Sequence, residues 1–113
     1  MKKESEAVLL RIFIGESDMH EGKPLYKHLL ELFRKEGISG ATVLRGIGGY
    51  GKTSHLRTTS ILRLSSDLPV AIEIVDTREN IERIKPLLDG KVNGGLITEE
   101  TVKIIYYEGK TGK

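Results

Sequence analysis

In the middle of the chain, Gly46-Ile47-Gly48-Gly49-Tyr50-Gly51-Lys52-Thr53 matches the phosphate-binding pattern G-x-x-x-x-G-K-[ST] at every fixed position. In that motif backbone amides wrap the phosphates, the lysine reaches the terminal ones and the hydroxyl holds Mg²⁺. The apolar run from Val70 to Val75 closes on Asp76, which supplies the strand and acid such enzymes place beside the metal. Taken literally, the chain is a nucleotide hydrolase. The motif works, however, only where the Lys and Thr open a helix whose first amides face the phosphates. Residues 54–64 argue against that helix: they offer no capping box, and Thr58-Thr59-Ser60 sits in a pattern closer to extended chain. A doubly wound sheet also needs more parallel βα units than 113 residues supply. The hydrolase is therefore the disfavoured reading, and no catalytic residue is assigned.

A milder chemistry survives. Gly46, Gly48, Gly49 and Gly51 free consecutive backbone N–H groups to turn towards an anion, with Arg45 at the entry and Tyr50, Lys52, Thr53, His55 and Arg57 along the same loop. A glycine-rich connection with solvated basic residues fits the same letters, and the residues alone leave both open.

Elsewhere, Glu16, Asp18, His20 and Glu21 cluster before a helix start, where acids ordinarily answer the helix dipole. Their spacing is not a metal signature, and a metal- or anion-tolerance protein using Glu16, Asp18 and His20 is kept as the alternative function. His28 is read as an ordinary histidine of that helix. No Ser-His-Asp order or carboxylate pair assembles into a catalytic set.

The elements that must position these residues follow from periodicity. Ala7 to Ile14 is an aliphatic run ending at Gly15, a buried strand. Pro24 opens a helix with Leu25, Leu29, Leu32 and Phe33 on one face, ending at Gly37. Ala41 to Arg45 is a second strand; residues 59–64 and Leu68 to Val75 are extended, the latter the better strand. Asp76 or Thr77 caps a helix carrying Ile81, Ile84, Leu87 and Leu88, with Pro86 bending it before Gly90. Residues 96–98 and 101–107 form the last strand, and residues 108–113 are expected to be a mobile tail. The order is βαββαβ, the α+β ferredoxin-like sandwich: an antiparallel sheet with two helices on one face. Its other face is left uncovered and apolar, which favours self-association.

Composition narrows the rest. A length of 113 residues fits a single domain over 1–113, and hydrophobic residues at 38% with no Trp make an aliphatic core. A net charge of +2 gives no concentrated basic surface, so nucleic acid is not expected as a partner. The absence of cysteine excludes disulfides, thiolate metal sites and Cys nucleophiles, and fits a reducing, cytoplasmic setting. No signal peptide or membrane insertion is expected.

Taken in order, Gly37-Ile38-Ser39-Gly40-Ala41-Thr42-Val43, Gly49-Tyr50-Gly51, Ile72-Glu73-Ile74-Val75 and Gly90-Lys91-Val92-Asn93-Gly94-Gly95 resemble the nitrogen-regulatory PII signalling proteins across nearly the whole chain. Residues 12–18, 21–26 and 40–47 look more specifically like the PII-like family known as domain of unknown function 190. The resemblance implies a homotrimeric, non-enzymatic signalling protein whose sheets line the centre and whose intersubunit clefts bind an adenine nucleotide. It assigns Gly49, Tyr50, Gly51, Lys52 and Thr53 to the base of the effector loop, and Gly90, Lys91, Asn93, Gly94 and Gly95 to a phosphate-facing loop of the same cleft. Two departures qualify it. The loop after Tyr50 is short and lacks the modified tyrosine, and the last strand lacks the arginines that grip a triphosphate. Losing two charge-assisted contacts of about 1.5–3 kcal/mol each costs roughly two to four decades of affinity, which favours AMP or ADP over ATP.

Overall fold

The computed structural model describes residues 4–50 and 68–108, and the backbone of 57–58. Gly51, Lys52, Thr53 and His55, the extended segment 59–64 and the tail 109–113 lie outside the described residues.

Strand β1 (Ser5–Gly15) is followed by a small hairpin of β2 (Met19–His20) and β3 (Lys23–Pro24), then helix α1 (Leu25–Lys35). Strand β4 (Thr42–Arg45) leads to a second ribbon, β5 (Gly48–Gly49) with β6 (Arg57–Thr58), and then to β7 (Pro69–Asp76). Helix α2 (Arg78–Ile84) passes into a 3₁₀ turn, Lys85–Leu88, before the last strand, β8 (Leu96–Ile104). The main sheet has the order β4-β7-β1-β8 with every neighbouring pair antiparallel. This is the expected ferredoxin-like arrangement.

Alternation along the strands sorts the residues by face. Val8, Leu10, Ile12 and Ile14 of β1 join Val70, Ile72 and Ile74 of β7 in one core with Leu25, Leu29 and Phe33 of α1 and Ile81 and Ile84 of α2. Helix α1 ends in a paired C-terminal turn, Gly37 N–H donating to Arg34 O (3.2 Å) and Ile38 N–H to Phe33 O (3.0 Å). Gly37 takes the left-handed conformation this needs, with φ 82°. Thr77 caps α2 by accepting from Asn80 N–H at 3.1 Å. Pro86 accounts for the 3₁₀ ending, since it has no N–H to continue the α ladder.

Asp76, the acid a phosphate-binding enzyme would turn to a metal, is used structurally. Its carboxylate accepts from Thr77 N–H (2.7 Å), Asn80 Nδ2 (2.8 Å) and Ser39 N–H (3.0 Å), tying the α1–β4 connection to the start of α2. Burial pushes the carboxyl up, but the hydrogen bonds from Ser39, Asn80 and Thr77 outweigh it and hold it below its ordinary value.

The sheet face away from the helices carries Leu9, Arg11 and Phe13 beside Ala71, Glu73 and Val75. Phe13, Val75 and, on the edge strand, Leu44 are exposed. In the middle of this surface Arg11 Nε donates to Glu73 at 2.8 Å and approaches Glu100 at 3.7 Å. The last strand stops at Ile104, short of the expected Tyr107, and Tyr106 and Tyr107 are exposed beyond it. Among the described residues no helix is long and apolar enough to cross a membrane.

Candidate functional site

The antiparallel order puts one set of connections at one end of the sheet: the close of β1, the β2–β3 hairpin, the exit of β4, the entry to β7 and the segment from Leu88 to Leu96. Glu16 N–H donates to Leu68 O (2.8 Å) and Gly46 N–H to Pro69 O (2.7 Å), which fix where the glycine-rich loop leaves the sheet. Arg45 closes an ion pair with Glu16 across that exit. The second carboxylate oxygen of Glu16 is buried without a hydrogen-bond partner among the described residues.

The glycines here are required by packing. A Cβ on Gly95 falls 2.6 Å from Phe13 O and 2.7 Å from Val92 Cγ1, so the segment before β8 can lie on the end of β1 only as glycine. A Cβ on Gly46 meets Pro69 Cγ at 3.0 Å.

Of the residues expected at the site, Arg45 ends β4 and Gly48 and Gly49 pair with Thr58 and Arg57 in the short ribbon. That pairing turns the chain back on itself beyond an antiparallel edge strand, whereas a hydrolase loop joins a parallel strand to a helix. Tyr50 is exposed. Gly90 lines a cleft of about 410 Å³ between the 3₁₀ turn and β8, together with Lys85, Leu88, Asp89, Val92, Ile97 and Glu99 among others. Lys91 hangs its ammonium on Leu87 O at 2.8 Å, and Asn93, Gly94 and Gly95 are exposed. The two glycine segments share the end of the sheet but not one cleft: Gly46 follows one edge strand and Gly95 precedes the other, about 14 Å apart at three strand spacings.

Lys85 and Glu99 escaped the sequence reading. Glu99 accepts from Arg78 at 2.8 Å and pairs with Lys85, and Lys85 also reaches Glu82 at 2.8 Å. Hydrogen bonds from Lys85 and Arg78 hold Glu99 below the usual carboxylate value. The signal was the alternation of the last strand, which puts Ile97 and Glu99 on the helix side opposite Ile12 and Leu10. His28 also departs from expectation. Its ring lies 4.3 Å from that of His20, centroid to centroid, and its Nε2 is buried without a hydrogen-bond partner among the described residues. Among the described residues no group of three metal-type side chains converges, and Glu16, Asp18 and His20 go separate ways: to Arg45, to Gly15 N–H (2.9 Å) and to His28.

An antiparallel βαββαβ sandwich with glycine-bearing connections at one sheet end is the architecture of PII-like proteins. Solved structures share it. A protein described as PII-like in signaling, from Thermus thermophilus, superposes with a TM-score of 0.66 at 18% identity, over 92% of this chain and 94% of that one. CPII, a nitrogen regulatory PII-like protein from Thiomonas intermedia K12 bound to ADP, AMP and bicarbonate, gives 0.63 at 15%, over 90% and 91%. Within that class residues 7–104 match the family model DUF190, described as uncharacterized ACR, COG1993, and the chain belongs to this family. Relatives include a UPF0166 protein of Aquifex aeolicus (strain VF5), 51% identical over 98 residues, 87% of this chain and 92% of that one. UPF0166 protein MJ1524 of Methanocaldococcus jannaschii is 44% identical over 107 residues, 94% of this chain and 96% of the relative.

Proposed function

We propose that the chain is a cytoplasmic PII-like regulatory protein, a homotrimer without catalytic activity, that senses an adenine nucleotide in its intersubunit clefts. AMP and ADP are the favoured ligands, and no metal or other cofactor is required. Arg45, Gly46, Gly48, Gly49, Tyr50, Gly51, Lys52, Thr53, His55 and Arg57 from one segment, with Gly90, Lys91, Asn93, Gly94 and Gly95 from the other, are the ligand-binding set.

The observation that carries this reading is the placement of the two glycine segments at opposite edges of one sheet end. A ring of subunits sets one edge of a sheet beside the other edge of its neighbour, and so gathers in one cleft what a single chain keeps apart. The open sheet face, with Phe13, Val75 and Leu44 exposed, supplies the apolar surface for such a ring. CPII, of like fold, is bound to ADP and AMP. The last strand has Lys103 as its one cation, so a triphosphate finds little to hold it there.

Calorimetry with AMP, ADP and ATP, alongside sedimentation of the free protein, tests the reading. The expected result is a trimer that binds AMP or ADP at micromolar level and ATP more weakly, with Lys52→Ala abolishing binding. A monomer, or no binding tighter than millimolar by any of the three, overturns it.

A further inference from the structure

The hairpin between β1 and α1 holds the least explained chemistry in the molecule. Its turn puts Glu21 at φ 49° and Gly22 at φ 80°, the two left-handed residues of a tight hairpin, with a glutamate where asparagine or glycine is the comfortable choice. Strain of this kind is kept where the surroundings insist on it. What it positions is His20, whose ring covers that of His28 at 4.3 Å and an interplanar angle of 38°.

Among the described residues His28 Nε2 is buried with no hydrogen-bond partner, which is costly unless something fills the place. The neighbouring charges choose what that is. Among the described residues the Lys91 ammonium bonds a backbone carbonyl, Leu87 O at 2.8 Å, and no carboxylate, so it keeps N–H donors to offer. Lys23 is neutralised by Glu31 at 2.6 Å, and Glu21 stands 3.8 Å from His20 Nε2. The two rings meet at a tilt of 38°, and among the described residues no third metal-type side chain joins them to hold a cation. A group with lone pairs to offer suits an imidazolium N–H and an ammonium together.

We propose that His28, covered by His20 and flanked by Lys91, is a proton-coupled subsite for an oxyanion, such as a phosphate group or bicarbonate. It goes beyond the nucleotide reading, with which it shares only Lys91. In the free protein burial is the largest influence keeping His28 below its ordinary pKa, followed by the charges of His20, Lys91 and Lys23; Glu21 opposes them. The anion reverses the sign of that field, so His28 takes up a proton as the anion binds, and affinity rises as the pH falls. Access to the buried Nε2 of His28 requires the His20 ring to move aside with its hairpin.

The test follows the His28 ring proton by NMR from about pH 5 to 8.5, the range in which imidazole titrates. The full chain is titrated alone and then with sulfate, which keeps its charge throughout, with bicarbonate and with AMP. The expected result is an upward displacement of the His28 titration, and an affinity that gains up to about tenfold per pH unit lowered. His28→Gln abolishes the pH dependence, and Lys91→Gln weakens binding. A response to AMP alone supports the subsite with a nucleotide phosphate as its anion; a response to sulfate or bicarbonate supports it for free anions. A His28 titration unmoved by all three overturns the subsite, and if AMP still binds, the nucleotide reading stands without it. The wild-type titration decides the matter even if His28→Gln fails to fold.

Discussion

Gly95→Ala is the most informative single substitution, because it adds one methyl group at the point where the fold and the candidate site meet. The new Cβ lies 2.6 Å from Phe13 O and 2.7 Å from Val92 Cγ1. Val92 is a side chain and can turn aside, but Phe13 O belongs to β1 in the middle of the sheet. Relief requires the segment before β8 to lift by about an ångström, and overpacking of this kind costs about 1–3 kcal/mol. At the upper end, the melting temperature falls by roughly 8–15 °C for a domain near this size. Thermal unfolding followed by circular dichroism measures it, with Gly40→Ala as the control, since nothing lies within 4 Å of a Cβ there. Gly40→Ala is expected to be neutral, or to gain a few tenths of a kcal/mol by stiffening the unfolded chain. Should Gly95→Ala unfold within half a kcal/mol of the control, the claimed close approach is refuted. Its ligand affinity should fall as well, because lifting this segment moves Lys91 and Asn93.

Two further outcomes are expected. Asp76→Ala removes the acceptor of three hydrogen bonds and should cost about 3 kcal/mol in urea unfolding; since the folded carboxyl titrates below its ordinary value of 3.8, its stabilisation is intact above about pH 4 and is lost as the pH falls through the folded value, a loss Asp76→Ala does not show. Phe13→Lys places a charge on the open sheet face and should give a monomer in sedimentation with an unchanged circular dichroism spectrum; a trimer that survives it moves the interface elsewhere.

The sequence disclosed its elements where burial is one-sided. The spacing of Leu25, Leu29 and Phe33, and the aliphatic alternation of Ile72 and Ile74, are demands of a two-layer core, and each was found on the core side. The end of β8 was misjudged because Ile105, Tyr106 and Tyr107 look like strand residues, whereas pairing with β1 runs out at Ser5↔Ile104. Propensity cannot show where a partner strand stops. His28 was passed over for a related reason. That its Nε2 lacks a partner is a fact about His20, which reaches it from a hairpin eight residues earlier through two left-handed turn residues. The phosphate-loop match, disfavoured from the sequence, shows the converse: the letters fit the pattern while their setting, an edge strand running into a two-stranded ribbon, does not. Alternation along β8 put Glu99 on the helix side, but its pairing with Lys85 joins two elements and is not legible in the spacing of either.

The charges of β8 have a consequence for how far assembly can go. Its outer edge pairs with no strand among the described residues, a nine-residue row of backbone groups open to any passing chain. Successive carboxylates at Glu99 and Glu100 point to opposite faces, so a second copy adding itself along this edge in a register that sets these two residues opposite one another brings like charges together. The broad face of the sheet offers apolar surface while this rim carries adjacent charges. Contacts through the rim would propagate into fibres, and the two adjacent glutamates work against those pairings that set them opposite one another.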